Sequence, residues 1–221
     1  MSWNRDYEKS GRIWGENPGV LAEAAVGYLK KKMPGTKRFN LLDIGCGYGR
    51  DAFYLSDNLN CSVLGIDDAE KAIAIAKDTV LKTNRRNIRF QSIDFASWGG
   101  DKYDVVFASN VYQILHTHER EAFNNTVHKV LRPEGLLFLA TLSINDPEHY
   151  GKGERIAGEE NSFKEEKYLH FCTREELVSD FGFLSIQELY EQKYAEPRSN
   201  GQTHHHVSWI LIGTNGGRLK N

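Results

Sequence analysis

Apolar positions along this chain switch between two periods, and from about residue 20 the switching is regular. In 19–32, Val20, Leu21, Ala24, Ala25, Tyr28 and Leu29 recur at the spacing of a helix with one buried face, and Pro34-Gly35 ends it. Residues 39–44 then read as a buried strand, followed by a glycine-rich turn and a helix over 50–58. A strand at 62–66 leads to a helix at 69–83 with Ala72, Ile73, Ala76 and Val80 on one face. Strands at 88–93 and 103–109, a helix at 119–130 stopped by Arg132-Pro133-Glu134-Gly135, and an almost wholly apolar strand at 136–141 complete the series. Strands apolar on both faces, separated by helices, require a mostly parallel sheet covered on both sides. The expected fold is α/β, doubly wound and Rossmann-like.

The last third changes character. Residues 144–170 are polar, rich in Gly, Glu and Lys, and without periodicity, so a long loop or insertion is expected there, spanning 144–172 at its widest and covering a substrate site, where Tyr150, Arg155, Phe163, Lys164, Lys167 and Tyr168 mix aromatic and charged groups. Thr173 followed by Glu176 resembles a capping box that opens a helix through Phe181. Residues 183–190 and 206–213 alternate like two strands, and the intervening Pro197 and Asn200-Gly201 suit a hairpin connection at the sheet edge. With no repeats and no low-complexity segments, a single domain over 1–221 is expected, with 1–35 as an N-terminal lid and helix region.

Composition narrows the partners. The 221 residues carry 26% charged side chains of both signs and a formal net charge of −2, whereas phosphate recognition leaves a clear basic excess. Nucleic acid is therefore not expected as a partner. Three cysteines, Cys46, Cys61 and Cys172, lie far apart with no CxxC spacing, which indicates neither a disulfide framework nor a zinc site. No stretch reaches a membrane-spanning length and the first twenty residues have no apolar signal core, so the cytoplasm is the expected location. Composition is silent on the oligomeric state.

The strongest chemical signal is Leu41-Leu42-Asp43-Ile44-Gly45-Cys46-Gly47-Tyr48-Gly49-Arg50, a strand running into three alternate glycines and then a helix. Glycines let the backbone turn sharply and let a ligand approach where a Cβ would collide with it. A dinucleotide site prefers GxGxxG, which needs glycine at position 50, where this chain has Arg50; GxGxG favours an adenosine-methionine ligand instead. Asp67, with Asp68 beside it, ends the second strand, where a carboxylate accepts hydrogen bonds from ribose hydroxyls. Asp94 and Phe95 follow the third strand, suited to an adenine amino group and ring face. Any one acid alone reads as a cap or turn residue. Their coincidence at consecutive strand tips is what points to a site.

LLDIGCGYGR, GIDDAEKAI, IDF, YDVVFASNVYQIL and LRPEGLLFLA together resemble the successive blocks of class I S-adenosylmethionine (SAM) dependent methyltransferases, over roughly 39–141. The resemblance implies a seven-stranded sheet in the order 3-2-1-4-5-7-6 with strand 7 antiparallel, and SAM as cofactor. It also implies that Asp43, Gly45, Cys46, Gly47 and Tyr48 line the methionine side, that Asp67 and Asp68 hold the ribose and Asp94 and Phe95 the adenine, and that Asn110 and Val111 form the pocket floor. Trp3, Tyr7, Arg12 and Trp14 look like the aromatic lead-in of small-molecule methyltransferases of the thiopurine and tellurite-resistance types, which folds over the cofactor; packing at the sheet edge is the plainer alternative. The implied activity is methyl transfer to O, N or S of a small-molecule acceptor. A protein acceptor, a non-catalytic SAM-binding module, and an NAD-dependent oxidoreductase are the competing readings.

In-line displacement from a sulfonium asks a protein for alignment and dehydration, and for a base when the acceptor is protonated. His116, just beyond the fourth strand, is the first candidate for base or substrate contact. Tyr7, Trp14, Tyr48 and Tyr112 are aromatic candidates beside the sulfonium. His204 and His206 share one face of the last strand and, with Tyr112 and Tyr150, are substrate candidates. A metal would want a third ligand, for which Glu154, Glu159 and His149 are unplaced by sequence, so none is expected.

Overall fold

The computed structural model describes residues 3–32, 35, 37–197 and 203–216. The alternation resolves into α1 (Trp3–Ser10), α2 (Val20–Lys32), β1 (Phe39–Ile44), α3 (Arg50–Asn58), β2 (Cys61–Asp67), α4 (Glu70–Thr83), β3 (Ile88–Ser92), β4 (Tyr103–Ser109), α5 (Thr117–Val130) and β5 (Leu131–Leu142). After these come β6 (Glu154–Arg155), β7 (Ser162–Lys164), β8 (Tyr168–His170), α6 (Arg174–Asp180), β9 (Ser185–Pro197) and β10 (Thr203–Thr214). The main sheet runs β3-β2-β1-β4-β5-β10-β9, which is the expected order with β9 and β10 as its sixth and seventh strands. β10 is antiparallel to both its neighbours, and the β1–β2, β1–β4, β2–β3 and β4–β5 pairs are parallel.

Two cores cover the two faces of this sheet, and strand alternation decides which side chain enters which. Leu41, Phe107, Phe138 and Ile210 pack with α2, α3 and α4 through Leu21, Ala25, Leu55 and Ile73. Their sequence neighbours Leu42, Val106, Leu137 and Leu211 point the other way, against Phe123 and Val127 of α5 and Leu177 of α6. Every strand of the central series is thus buried on both sides.

Parallel pairing sets Leu42 level with Leu64 and Val106, so the tips of β1, β2 and β4 emerge along one edge. β10 runs against them, pairing Ser208 with Leu142, so its beginning, rather than its end, lies at that same edge. Its first residues, His204 to His206, thereby join the strand tips.

Three segments depart from expectation. The 144–172 region is not a bare loop: it folds a small antiparallel sheet, β6-β7-β8, and a Ser143–Cys172 bridge closes its base. Strands of two and three residues are too short to display an alternation. The polar lead-in forms α1, held by tertiary contacts, with Tyr7 buried and Glu8 paired to Lys71 at 3.3 Å. β9 and β10 extend beyond the expected 183–190 and 206–213 because they pair with each other along nearly their whole length. The hairpin turn at Asn200-Gly201 and the helix stop at Pro34 lie outside the described residues. Among the described residues no helix is long and apolar enough to cross a membrane.

Candidate functional site

Between β1 and α3 the backbone turns through Gly45 (φ 71°) and Gly47 (φ 53°), a left-handed region that L side chains rarely adopt. Gly45 and Cys46 both donate to the Ile66 carbonyl, at 2.8 and 3.1 Å, and Gly47 donates to Asp67 Oδ2 at 2.7 Å. A Cβ on Gly45 would lie 2.7 Å from Val111 Cγ2, and one on Gly47 would lie 2.8 Å from the Tyr7 hydroxyl. The glycines are therefore required by the chain's own packing, in addition to the sharp turn and close ligand approach that the sequence suggested.

The turn opens onto a cavity of about 1070 Å³ at the shared strand edge. Asp43, Gly45, Cys46, Gly47 and Tyr48 line it from the first strand and turn. Asp67 and Asp68 line it from β2, Asp94 and Phe95 from the end of β3, and Asn110 and Val111 from the end of β4. Trp3, Tyr7 and Trp14 border it from the N-terminal segment, His116 from the start of α5, and His204 and His206 from β10. Residues from seven separate stretches of sequence thus converge on one cavity.

Electrostatics mark the end of the cavity beside the glycine turn. Asp43 is buried, its Oδ2 has no hydrogen-bond partner, and it lines the cavity. Burial, reinforced by the charges of Asp51 and Asp67, pushes its carboxyl well above the usual range despite Arg50. An orphaned buried carboxylate oxygen beside open space calls for a cationic donor. Asp67 is pushed up to about 6, chiefly by burial, while its bonds from Ala69 and Gly47 pull it down. Asn110 takes a left-handed turn (φ 60°) and donates to the Ala140 carbonyl at 3.0 Å, which ends β4 abruptly beside the cavity. Asp94 also serves as a cap, accepting from Ala96 at 2.9 Å, so a turn role and a wall role coexist in one residue.

The N-terminal segment is tied over this end. The Tyr48 hydroxyl donates to the Gly15 carbonyl at 2.7 Å and accepts from the Trp14 amide at 3.1 Å, and the Tyr7 ring meets Tyr48 edge-on at 6.1 Å. Lys167, from the small sheet, reaches Asp6 at 2.5 Å and sits 3.4 Å from the Trp3 ring centroid. α1 and the segment after β5 thereby meet above the cavity.

His116 stands at the mouth of a polar network that the sequence did not reveal. Its Nδ1 is 2.8 Å from Glu159 Oε1, and its ring packs on Tyr168 with centroids 4.0 Å apart. Glu159 Oε2 accepts from the Tyr168 hydroxyl at 2.6 Å and from the Thr117 hydroxyl at 3.1 Å. Burial works against the Glu159 charge, yet the bonds from Tyr168, His116 and Thr117 outweigh it and bring the carboxyl down to about 2. A fixed carboxylate on Nδ1 orients the imidazole and leaves Nε2 as the nitrogen for other chemistry.

Three candidates fall elsewhere. Arg12 is turned away, bound to Glu16 at 2.5 Å and to the Thr79 hydroxyl at 3.1 Å. Tyr112 is fully buried between Phe123 and Phe181, its hydroxyl donating to Asp180 at 2.6 Å. Tyr150 packs edge-on to Phe163 and Phe171 and donates to Asn161. None of the three lines the cavity. Conversely, Trp3, Lys167, Tyr168 and Phe163 do line it. Trp3 already stood out in the aromatic lead-in, and the other three belong to the aromatic and charged mix expected of the insertion, although no periodicity there gave their directions.

Comparison with known proteins agrees with this fold. Residues 41–135 match the model of a family described as a methyltransferase domain. A ubiquinone biosynthesis O-methyltransferase of Bartonella tribocorum is 32% identical over 104 residues, 47% of this chain and 41% of that protein. The chain spans less than half the length of that relative, and 46% of another matched curated relative. Magnesium protoporphyrin IX methyltransferase from Synechocystis PCC 6803, solved with bound SAH, superposes with a TM-score of 0.71 at 17% identity, over 97% of this chain and 96% of that one. TehB from Haemophilus influenzae superposes with a TM-score of 0.65 at 18% identity, over 86% and 61%. At these identities the superpositions speak for the fold.

Proposed function

From the match of residues 41–135 to a family model described as a methyltransferase domain, we propose that this chain binds SAM and passes its methyl group to O, N or S of a small-molecule acceptor. The observation that carries the reading is the unpartnered Asp43 carboxylate oxygen beside a glycine turn, with Asp67 at the neighbouring strand tip. When bound, SAM supplies an electrophilic methyl on a positively charged sulfur. Asp43 suits the ammonium of the methionine portion, Asp67 the ribose hydroxyls, and Asp94 with Phe95 the adenine. Tyr7, Tyr48 and Trp14 present aromatic faces near the turn that favour a sulfonium and exclude water.

His116 is the base of this reading, taking a proton from the acceptor at Nε2 while Glu159 holds Nδ1. The N-terminal segment and the 144–172 insertion act as roof, and the mix of Phe163, Lys167 and Tyr168 suits a polar acceptor with an apolar body. The free thiols of Cys46, Cys61 and Cys172 accord with a reducing compartment, and the cytoplasm is the proposed location. Calorimetric titration with SAM and SAH, followed by incubation with methyl-labelled SAM and pools of small acceptors, tests the whole. Binding with label in a small product is expected. Label found only in protein would favour the protein-methyltransferase alternative, binding without transfer a non-catalytic module, and no binding would overturn the reading.

A further inference from the structure

We propose that His149, His204 and His206 form a binding site for a borderline divalent cation of the zinc type, on the wall of the cavity and open to it. One nitrogen from each of the three can be chosen so that all lie within 4.8 Å of one another. The ring centroids stand 5.4 Å apart for His149–His206 and 6.0 Å for the other two pairs. Zinc–nitrogen bonds of about 2.0–2.1 Å bring tetrahedral donors closer than this, a difference that small rotations of the imidazoles can cover. All three residues line the cavity, so an ion held there has its remaining position toward whatever the cavity admits.

The fold builds this cluster from two directions. His204 and His206 occupy one face of β10 at the edge where its reversed start meets the other strand tips, and His149 arrives from the turn after β5. Asp146, itself buried, binds the two parts together. Its Oδ1 accepts from the His149 amide at 2.9 Å, and its Oδ2 accepts from the Val207 amide at 3.0 Å and lies 3.0 Å from His206 Nδ1. A carboxylate on Nδ1 fixes the tautomer and leaves Nε2 for a cation, the usual outer support of a metal-binding histidine. Glu196 Oε2, 3.6 Å from that Nε2, supplies an acidic oxygen at the same point.

His204 adds an independent sign. Its Nδ1 is buried and has no hydrogen-bond partner, which in a histidine otherwise packed among rings is a nitrogen lacking its ligand. The other histidine-containing cluster, His170, Cys172 and Glu176, lacks this feature. Both His170 nitrogens are engaged, by Ser162 and by Glu176, and the Cys172 sulfur meets the Thr141 hydroxyl. That cluster is a satisfied core network.

An imidazole-held zinc-type ion lowers the proton affinity of a bound hydroxyl or thiol and orients it. Its use on an acceptor rests on the methyl-transfer reading; cation binding does not, and the experiment reads binding. The full chain, stripped with chelator, is titrated with Zn²⁺ by calorimetry and with Co²⁺ by visible absorption. One ion per chain is expected, with the intense visible bands of four-coordinate Co²⁺, displaced by Zn²⁺. His149→Gln and His204→Gln should each weaken uptake by at least about tenfold, and Asp146→Asn by about 10- to 100-fold. Cys172→Ser should leave uptake unchanged. Absence of stoichiometric uptake by the wild type, or uptake that survives both histidine changes in folded protein, overturns the proposal. Circular dichroism establishes folding of each variant, and SAM titration of the same samples reports separately on the methyltransferase reading.

Discussion

The Gly47 amide donates to the Asp67 carboxylate at 2.7 Å, so the glycine turn and the acid at the second strand tip are one unit. The second oxygen of Asp67 accepts from Ala69 at 2.8 Å, which starts α4 from the same side chain. An ionised carboxylate has lone pairs left for ribose hydroxyls after both bonds; a protonated one has fewer.

This gives a pH signature. Burial lifts the Asp67 carboxyl from 3.8 to about 6. Because the folded-state value lies above the unfolded one, its contribution to stability is present below 3.8 and lost as pH rises through about 6. Ligand binding runs the opposite way, since the ionised form is the better acceptor, so SAM affinity is expected to fall as pH drops below about 6. Asp67→Asn should weaken SAM binding severalfold to tens of fold at pH 8, corresponding to about 1–2 kcal/mol. The gap between wild type and variant should narrow by pH 5. Calorimetry across that range checks it, and a constant gap would detach Asp67 from the ligand.

Gly47→Ala tests the turn itself. The added methyl meets the Tyr7 hydroxyl at 2.8 Å on a backbone with φ of 53°, so SAM binding should be lost or reduced by more than tenfold. Adding Tyr7→Ala relieves the collision and leaves the backbone strain. Partial recovery in the double variant, read by SAM titration, is the expected outcome; equal loss in both would assign the effect to backbone strain alone.

His116→Ala should lower turnover by about 100-fold or more on an acceptor that must lose a proton, with SAM affinity unchanged. Glu159→Gln should act in the same direction to a smaller extent, because the imidazole loses its anchor. The Glu159 carboxyl lies at about 2, against 4.5 ordinarily. Its stabilising contribution is thus present above 4.5 and lost as pH falls toward about 2, and Glu159→Gln should lack that part of the acid-unfolding profile. Turnover unchanged in His116→Ala would remove the base.

Tyr112→Phe separates a wall residue from a core one. Its hydroxyl binds Asp180 at 2.6 Å, away from the cavity, so the change should cost about 1–3 kcal/mol of stability and leave SAM affinity within twofold. Denaturant unfolding and calorimetry on the same sample measure both.

The parallel core was legible because double-sided burial writes continuous apolar runs, as in Leu136 to Leu142. The turn and the strand-tip acids were legible because Gly45 and Asp67 directly follow such runs and Asp94 follows the shorter, alternating β3. Tyr112 and Tyr150 were misassigned because a sequence shows that an aromatic follows a strand, and gives no direction for its side chain. Glu159 and His149 were named only as unplaced ligands, and their partners stayed hidden for a different reason. Their partners, His116 on one hand and His204 and His206 on the other, lie 43 and more than 50 positions away, joined by a small sheet whose strands are too short to leave a period.

Lys167 joins α1 to the small sheet through an ammonium that contacts both a carboxylate and an indole, bridging 161 positions of sequence. A roof fastened by a surface ion pair loosens as counterions accumulate. Exchange of small molecules with bulk water should accordingly quicken at high ionic strength, making salt concentration a throttle on how long anything stays inside.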